Sequence, residues 1–281
     1  MHEDVTPVDG GEESGRYARA MTAPNVDDAD HRTVAEPNIV LLGLVGSTVH
    51  GVTVDSADDR DELGICIEPP EYVAGLRRFE QWVYRTQPEG ARSGPGDIDR
   101  TVYSLRKWCR LALAGNPTVM LLLHVPEAQC EIVEEPGRQL RANKAWFASR
   151  RAGRAYLGYM ERQRDRMTGE RGQMRVNRPE LIEQYGFDTK YAGHVLRLGY
   201  QGIEFLETGA LTLPMREQER NRILAVRTGS VPFDEVLAEA DELRSRLEAL
   251  VQSSPLPEHA DDDAVNAFLA DTYRAWWASR A

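Results

Sequence analysis

Cysteine is scarce in this 281-residue chain: Cys66, Cys109 and Cys130 stand far apart, with no CxxC spacing. That excludes a disulfide framework and a Cys-based zinc site. Long apolar runs are missing as well. The longest, residues 39–45 and 119–123, fall far short of the ~18 residues a spanning helix needs. The N-terminus lacks the basic-then-apolar pattern of a secretory signal. A cytoplasmic protein without a membrane partner is expected. Nor is basic charge in excess: 34 Lys+Arg stand against 45 Asp+Glu, a net charge of −11. A protein that merely coats nucleic acid would be basic overall, so that class is disfavoured. What is present is enough apolar material, 41% of residues, to bury a core.

Charge is unevenly spread. Residues 1–36 hold nine acids and three arginines with no apolar period, the composition of a disordered acidic tail. Order is expected to start at Asn38. The run IVLLGLVGS from Ile39 is too short for a helix and reads as a buried strand ending at Gly46-Ser47. A polar, turn-rich stretch follows, then a second strand over 63–67. A third strand is predicted over 98–103, with Ser104 capping a helix whose buried face carries Leu105, Trp108, Cys109 and Ala112. Asn116-Pro117 opens the next helix. Residues 37–135 thus read as one module and 136–281 as a helical half.

That half begins with an Arg-rich segment, 138–178, holding twelve basic and three acidic residues. It lacks the interleaved Glu of most solvated basic helices and contains Trp146, Phe147, Tyr156 and Tyr159, so RNA or DNA contact is one reading and a solvated helix the other. Helices are expected from Asp188 to Gly209, 216–227, 233–251 and 263 onward. In the third of these, Val236, Ala240, Leu243, Leu247 and Leu250 form an amphipathic seam.

The chemistry concentrates in Gly46-Ser47, eleven residues, then Asp59-Arg60-Asp61. A Gly-Ser pair after a buried strand lets backbone N–H groups and a hydroxyl approach an anion. Carboxylates at i and i+2 project from one side and suit Mg²⁺, whose remaining positions accept phosphate oxygens. A phosphate cradle beside a metal-binding acid pair is what phosphoryl or nucleotidyl transfer requires. A third acid on a neighbouring strand would complete the site: Asp99, with Asp97 as the alternative.

These residues resemble the signature of the DNA polymerase β nucleotidyltransferase superfamily and, more narrowly, its RNA-repair-associated family. The narrower resemblance extends through GSTVHG (46–51), 63–65, YSLRKWCRLALAGNP (103–117), FDTKYAGHVLRL (187–198), QGIEFLETGALTLP (201–214) and SPLPEHAD (254–261). It implies an α+β fold: a small mixed-sheet polymerase-β-type core followed by a helical C-terminal half. It also implies Mg²⁺ or Mn²⁺ on Asp59, Asp61 and Asp99, and an NTP whose triphosphate is held by Gly46 and Ser47. The family pattern has an apolar residue where this chain has Arg60, followed by Glu62, so Asp58 competes with Asp59 for the pairing register.

Two further groups join the candidate nucleotide site. Lys190, His194, Arg197 and Gln201 form a polar stripe on the predicted 188–209 helix, either solvated or turned toward the phosphates. Lys107, on the helix after Ser104, is either a surface residue or a phosphate contact. The sequence therefore points to transfer of a nucleoside monophosphate from an NTP to an acceptor hydroxyl, an RNA 3′ end by preference. A protein- or small-molecule-modifying enzyme and an inactive nucleotide- or RNA-binding relative are the alternatives.

Overall fold

A six-residue stretch, IVLLGL, has no charged side chain to place in water, and it forms the strand β1 (Ile39–Leu44) deep inside a sheet. The structure, a computed structural model, describes residues 29–54, 59–87, 91, 93–94, 96–168 and 178–280. Among these residues a single mixed sheet has the order β3-β4-β2-β1-β5. Its other strands are β2 (Arg60–Cys66), β3 (Gln81–Arg85), β4 (Ile98–Ser104) and β5 (Cys130–Val133). β2 runs parallel to β4, and the other pairs are antiparallel. A register shift between Ile39 and Leu41 marks a bulge in β1. Val40 and Leu41 accordingly join one apolar cluster, while Ile39 and Leu42 join the other.

Before the sheet comes α1 (Ala29–Ala35), and after β1 comes the short α2 (Gly46–His50). α3 (Pro70–Val73) leads toward β3. α4 (Leu105–Leu113) follows β4 directly, with Ser104 accepting a bond from the Lys107 amide at 3.2 Å. α5 (Pro117–Met120) starts under an Asn116 cap, and α6 (Glu135–Ala142) follows β5. The helical half comprises α7 (Arg150–Thr168), α8 (Pro179–Tyr185), α9 (Thr189–Thr208), α10 (Glu217–Arg227), α11 (Phe233–Ser253) and α12 (Asp262–Ala278). This is the α+β arrangement expected, a mixed sheet and then helices. No described helix is long and apolar enough to cross a membrane.

The two faces of the sheet have unequal cover. One face packs on α1 through Val34, Ala35, Phe79 and Trp82. The other, carrying Leu63 and Ile65, belongs to a larger cluster that continues without interruption through Trp108 and Phe147 to Val195, Phe205, Leu247 and Val251. α9 lies at its centre, packed by α7, α10 and α11.

Several expectations change. Order begins before Asn38: α1 occupies positions 29–35, inside the predicted acidic tail, because Val34 and Ala35 are buried. The rest of that tail, residues 1–28, lies outside the described residues. β2 starts at Arg60, ahead of the predicted strand. β3 and β5 have no counterpart in the sequence reading: each is short, and each lies at an edge where only cross-strand pairing defines it.

Candidate active site

The β2–β4 pairing is parallel and places Asp61 directly beside Asp99. Alternation along a strand then puts Asp61, Leu63 and Ile65 on one face, the face covered by the helical half. Asp59 precedes β2 and joins them. One carboxylate oxygen from each of Asp59, Asp61 and Asp99 lies within 4.8 Å of the others, and all three residues are half-buried. Three hard oxygen donors in that space fit Mg²⁺ or Mn²⁺. Asp97, the alternative third acid, is otherwise engaged: it accepts bonds from Thr86 Oγ1 and the Gly94 amide, both at 2.9 Å. Asp58 lies outside the described residues.

Arg60, the departure from the family pattern, points the other way. On the opposite face it pairs with the buried Glu62, which Arg100 also holds, and with Glu131 at 2.9 Å. Positions 60 and 62 thus make a structural ion cluster behind the acids, and the guanidinium does not enter the site.

Gly46 is required by close approach. Its φ is +73°, and a Cβ there would stand 2.0 Å from Asp61 Oδ2. α2 therefore begins against the Asp61 carboxylate. It ends at His50, which is only 2% exposed and lies 2.6 Å from Arg197 Nη1 and 3.2 Å from Gln201 Nε2. The polar stripe of α9 is thus turned inward, onto the far end of α2, about 6 Å along the helix axis from Gly46. Ser47 lies one turn before His50 on the same side.

This end is strongly cationic. Among the described residues, Lys190, His194 and Arg197 have no carboxylate within ion-pair distance, whereas Arg178 is held by Asp188 at 3.1 Å. Burial, reinforced by Arg197, Lys190, Arg178 and Arg227, drives the His194 imidazole well below its ordinary value. Burial does the same to His50, with Arg197 and His194 adding to it. Desolvation pushes the Arg197 guanidinium down to about 10. Arg227 donates to the Val52 carbonyl just beyond α2. Neither His50 nor Arg227 stands out as a site residue in the sequence. His50 sits inside the GSTVHG block, which is the available signal.

Lys107 does not join the group around α2. Its Nζ donates to Gln81 Oε1 at 2.9 Å and pairs with Glu80 at 3.1 Å. That is the far end of β4, about 16 Å from Asp99 at the rise of an extended strand.

Part of the Arg-rich segment is paired through the fold. Arg150 and Arg154 both reach Glu258, and Arg164 reaches Asp241 at 3.1 Å. Arg162 stacks on Tyr159. Phe147 and Tyr156 are core residues, 0% and 1% exposed, and cannot stack on bases. Residues 169–177 of the segment lie outside the described residues.

The model of the RNA repair pathway DNA polymerase beta family matches residues 22–271. The chain belongs to that family. The match spans the acid cluster, α2 and α9 of this RNA repair pathway polymerase beta family member. A solved structure titled as a nucleotidyltransferase-like protein from Exiguobacterium sibiricum 255-15 aligns at 14% identity over 85% of this chain and 75% of that one, with a TM-score of 0.28. No curated protein matches.

Proposed function

We propose that this family member moves a nucleoside monophosphate from an NTP onto an acceptor hydroxyl, an RNA 3′ end by preference. The observation that carries the reading is α2 itself. One end closely approaches the Asp61 carboxylate of the acid cluster, and the other carries His50, which contacts Arg197, a guanidinium without a carboxylate partner among the described residues. A half-buried guanidinium without a carboxylate partner leaves positive charge that a polyanion would neutralise.

Asp59, Asp61 and Asp99 would hold Mg²⁺ or Mn²⁺, which when bound offsets the negative charge of the phosphates and of the departing pyrophosphate. Gly46 lets the backbone approach the triphosphate, and Ser47 supplies a hydroxyl donor. Lys190, His194 and Arg197 bind and orient the phosphates from the α9 side. Asp99 accepts the proton of the attacking hydroxyl. The bond formed joins that oxygen to the α-phosphorus, and the bond broken releases pyrophosphate. The RNA acceptor draws support from the family description and from Arg162, which has an aromatic rather than an acidic neighbour.

A transfer assay with each α-labelled NTP and Mg²⁺ or Mn²⁺ tests this, offering total RNA, single-stranded DNA and the protein itself. Label on RNA that disappears in an Asp59→Ala/Asp61→Ala variant supports it. Label on protein keeps the chemistry and discards the RNA acceptor. No label from a folded protein favours a nucleotide- or RNA-binding relative without transfer activity, a reading to which the engagement of Asp99 by Arg85 lends support.

A further inference from the structure

The proposed third metal ligand already has a cationic partner. Arg85 is the last residue of β3, an edge strand, and the antiparallel pairing sets it directly opposite Asp99. The contact is a two-pronged fork: Nε to Oδ1 at 2.6 Å and Nη2 to Oδ2 at 3.1 Å. Two more donors share the same carboxylate. Ser93 Oγ lies 2.6 Å from Oδ2, and Gln87 Nε2 lies 3.0 Å from Oδ1. A carboxylate has about four lone-pair positions, and four donor contacts converge on this one. A cation that takes an Asp99 oxygen must displace at least one of them.

Charge points the same way. The row across β2, β4 and β3 reads Asp61, Asp99, Arg85. Asp59 completes the acid cluster with these two aspartates. One guanidinium thus stands against three carboxylates, where a divalent cation would bring two positive charges.

We infer that Arg85 is a positioning residue that acts as an internal counter-ion, competing with the divalent cation for Asp99 and thereby setting how tightly that cation binds. The inference rests on the reading of Asp59, Asp61 and Asp99 as the metal site. A purely structural Arg85, needed to hold Asp99 in place, would have the opposite effect when removed. The sign of the change in affinity therefore separates the two roles.

The test is direct binding of Mn²⁺ to the full chain without nucleotide, followed by the electron paramagnetic resonance of free Mn²⁺. The wild type is compared with Arg85→Gln, Arg85→Lys and Asp61→Ala, each checked for its melting temperature. Arg85→Gln keeps a hydrogen-bond donor and removes the charge, and about tenfold tighter binding is expected. Arg85→Lys keeps the charge and should stay near wild type. Binding that Asp61→Ala abolishes but that Arg85→Gln leaves unchanged or weakens overturns the counter-ion role and leaves the metal site standing. Absence of any Asp61-dependent binding, in wild type and Arg85→Gln alike, overturns the metal site and this inference together.

Discussion

α7 and α9 carry their charge in opposite ways. In sequence α7 is conspicuously basic, yet Glu258 and Asp241 come to meet three of its six arginines, Arg150, Arg154 and Arg164, from much further along the chain. In sequence α9 is an ordinary amphipathic helix, yet its half-buried Lys190 and Arg197 have no carboxylate partner among the described residues, and Arg197 reaches the buried His50. Local charge density therefore misleads about where an anion binds. The informative quantity is charge left over after tertiary pairing among the described residues: on α7 it is Arg151, Arg162 and Arg166, and on α9 it includes Arg197 at the end of α2.

The sharpest way to break this contrast is to remove the α9 cation. Arg197→Ala is expected to lower kcat/KM for the NTP by about 10²- to 10³-fold, the scale of losing one oriented donor. Steady-state kinetics on α-labelled NTP would check it. A loss no larger than that of Arg154→Ala would erase the distinction between the helices.

The second test uses pH. His50, His124 and His194 are all held below their ordinary value, His124 down to about 3. Burial is the main cause in each. Lys144 and Arg141 add to it at His124, and the cations of α9 and its neighbours add to it at the other two. The unfolded chain then binds protons that the folded one refuses. Stability is fully present above pH ~6.5 and falls below it, at up to about 1.4 kcal/mol per pH unit for each histidine. Melting temperature between about pH 7.5 and 5, the range that brackets the ordinary imidazole value, reads this out. His194→Gln should flatten the fall, whereas neutralising α7 should leave its slope alone.

The smallest effect is expected on α7 itself. Arg150 and Arg154 are only partly buried against Glu258, so Arg150→Ala/Arg154→Ala should cost no more than about 1 kcal/mol per pair in chemical denaturation. Arg162→Ala should lower the salt dependence of RNA binding by about one counter-ion. A larger stability loss for Arg162→Ala than for the paired arginines would reverse the assignment.

How much is readable from sequence follows from the range of each interaction. The acid cluster is legible because Asp59 and Asp61 lie two residues apart at the start of a strand and because Asp99 falls early in a strand that the alternation of residues 98–103 announces. Caps are legible too: Ser104 and Asn116 each bond an amide within three residues. The seam of α11 likewise places Val236, Ala240, Leu243 and Leu247 in the core. By contrast, the partners of Arg154 and Arg164, the pairing of β5 with β1 and the direction of Lys107 depend on residues distant in the chain. Local pattern cannot carry them. α1 is hidden for another reason, since only Val34 and Ala35 anchor it among polar neighbours.

The apolar cluster that runs unbroken from Leu63 to Val251 has a mechanical consequence. The acids sit on the sheet and the α9 cations on the helical half, but the material between them is shared packing, not a linker. Opposite walls joined in this way cannot swing apart without exposing core, which costs about 25 cal/mol for every Å² of apolar surface bared. The spacing of carboxylates and cations is thus fixed by shared core, and sheet and helices are expected to melt together in one transition.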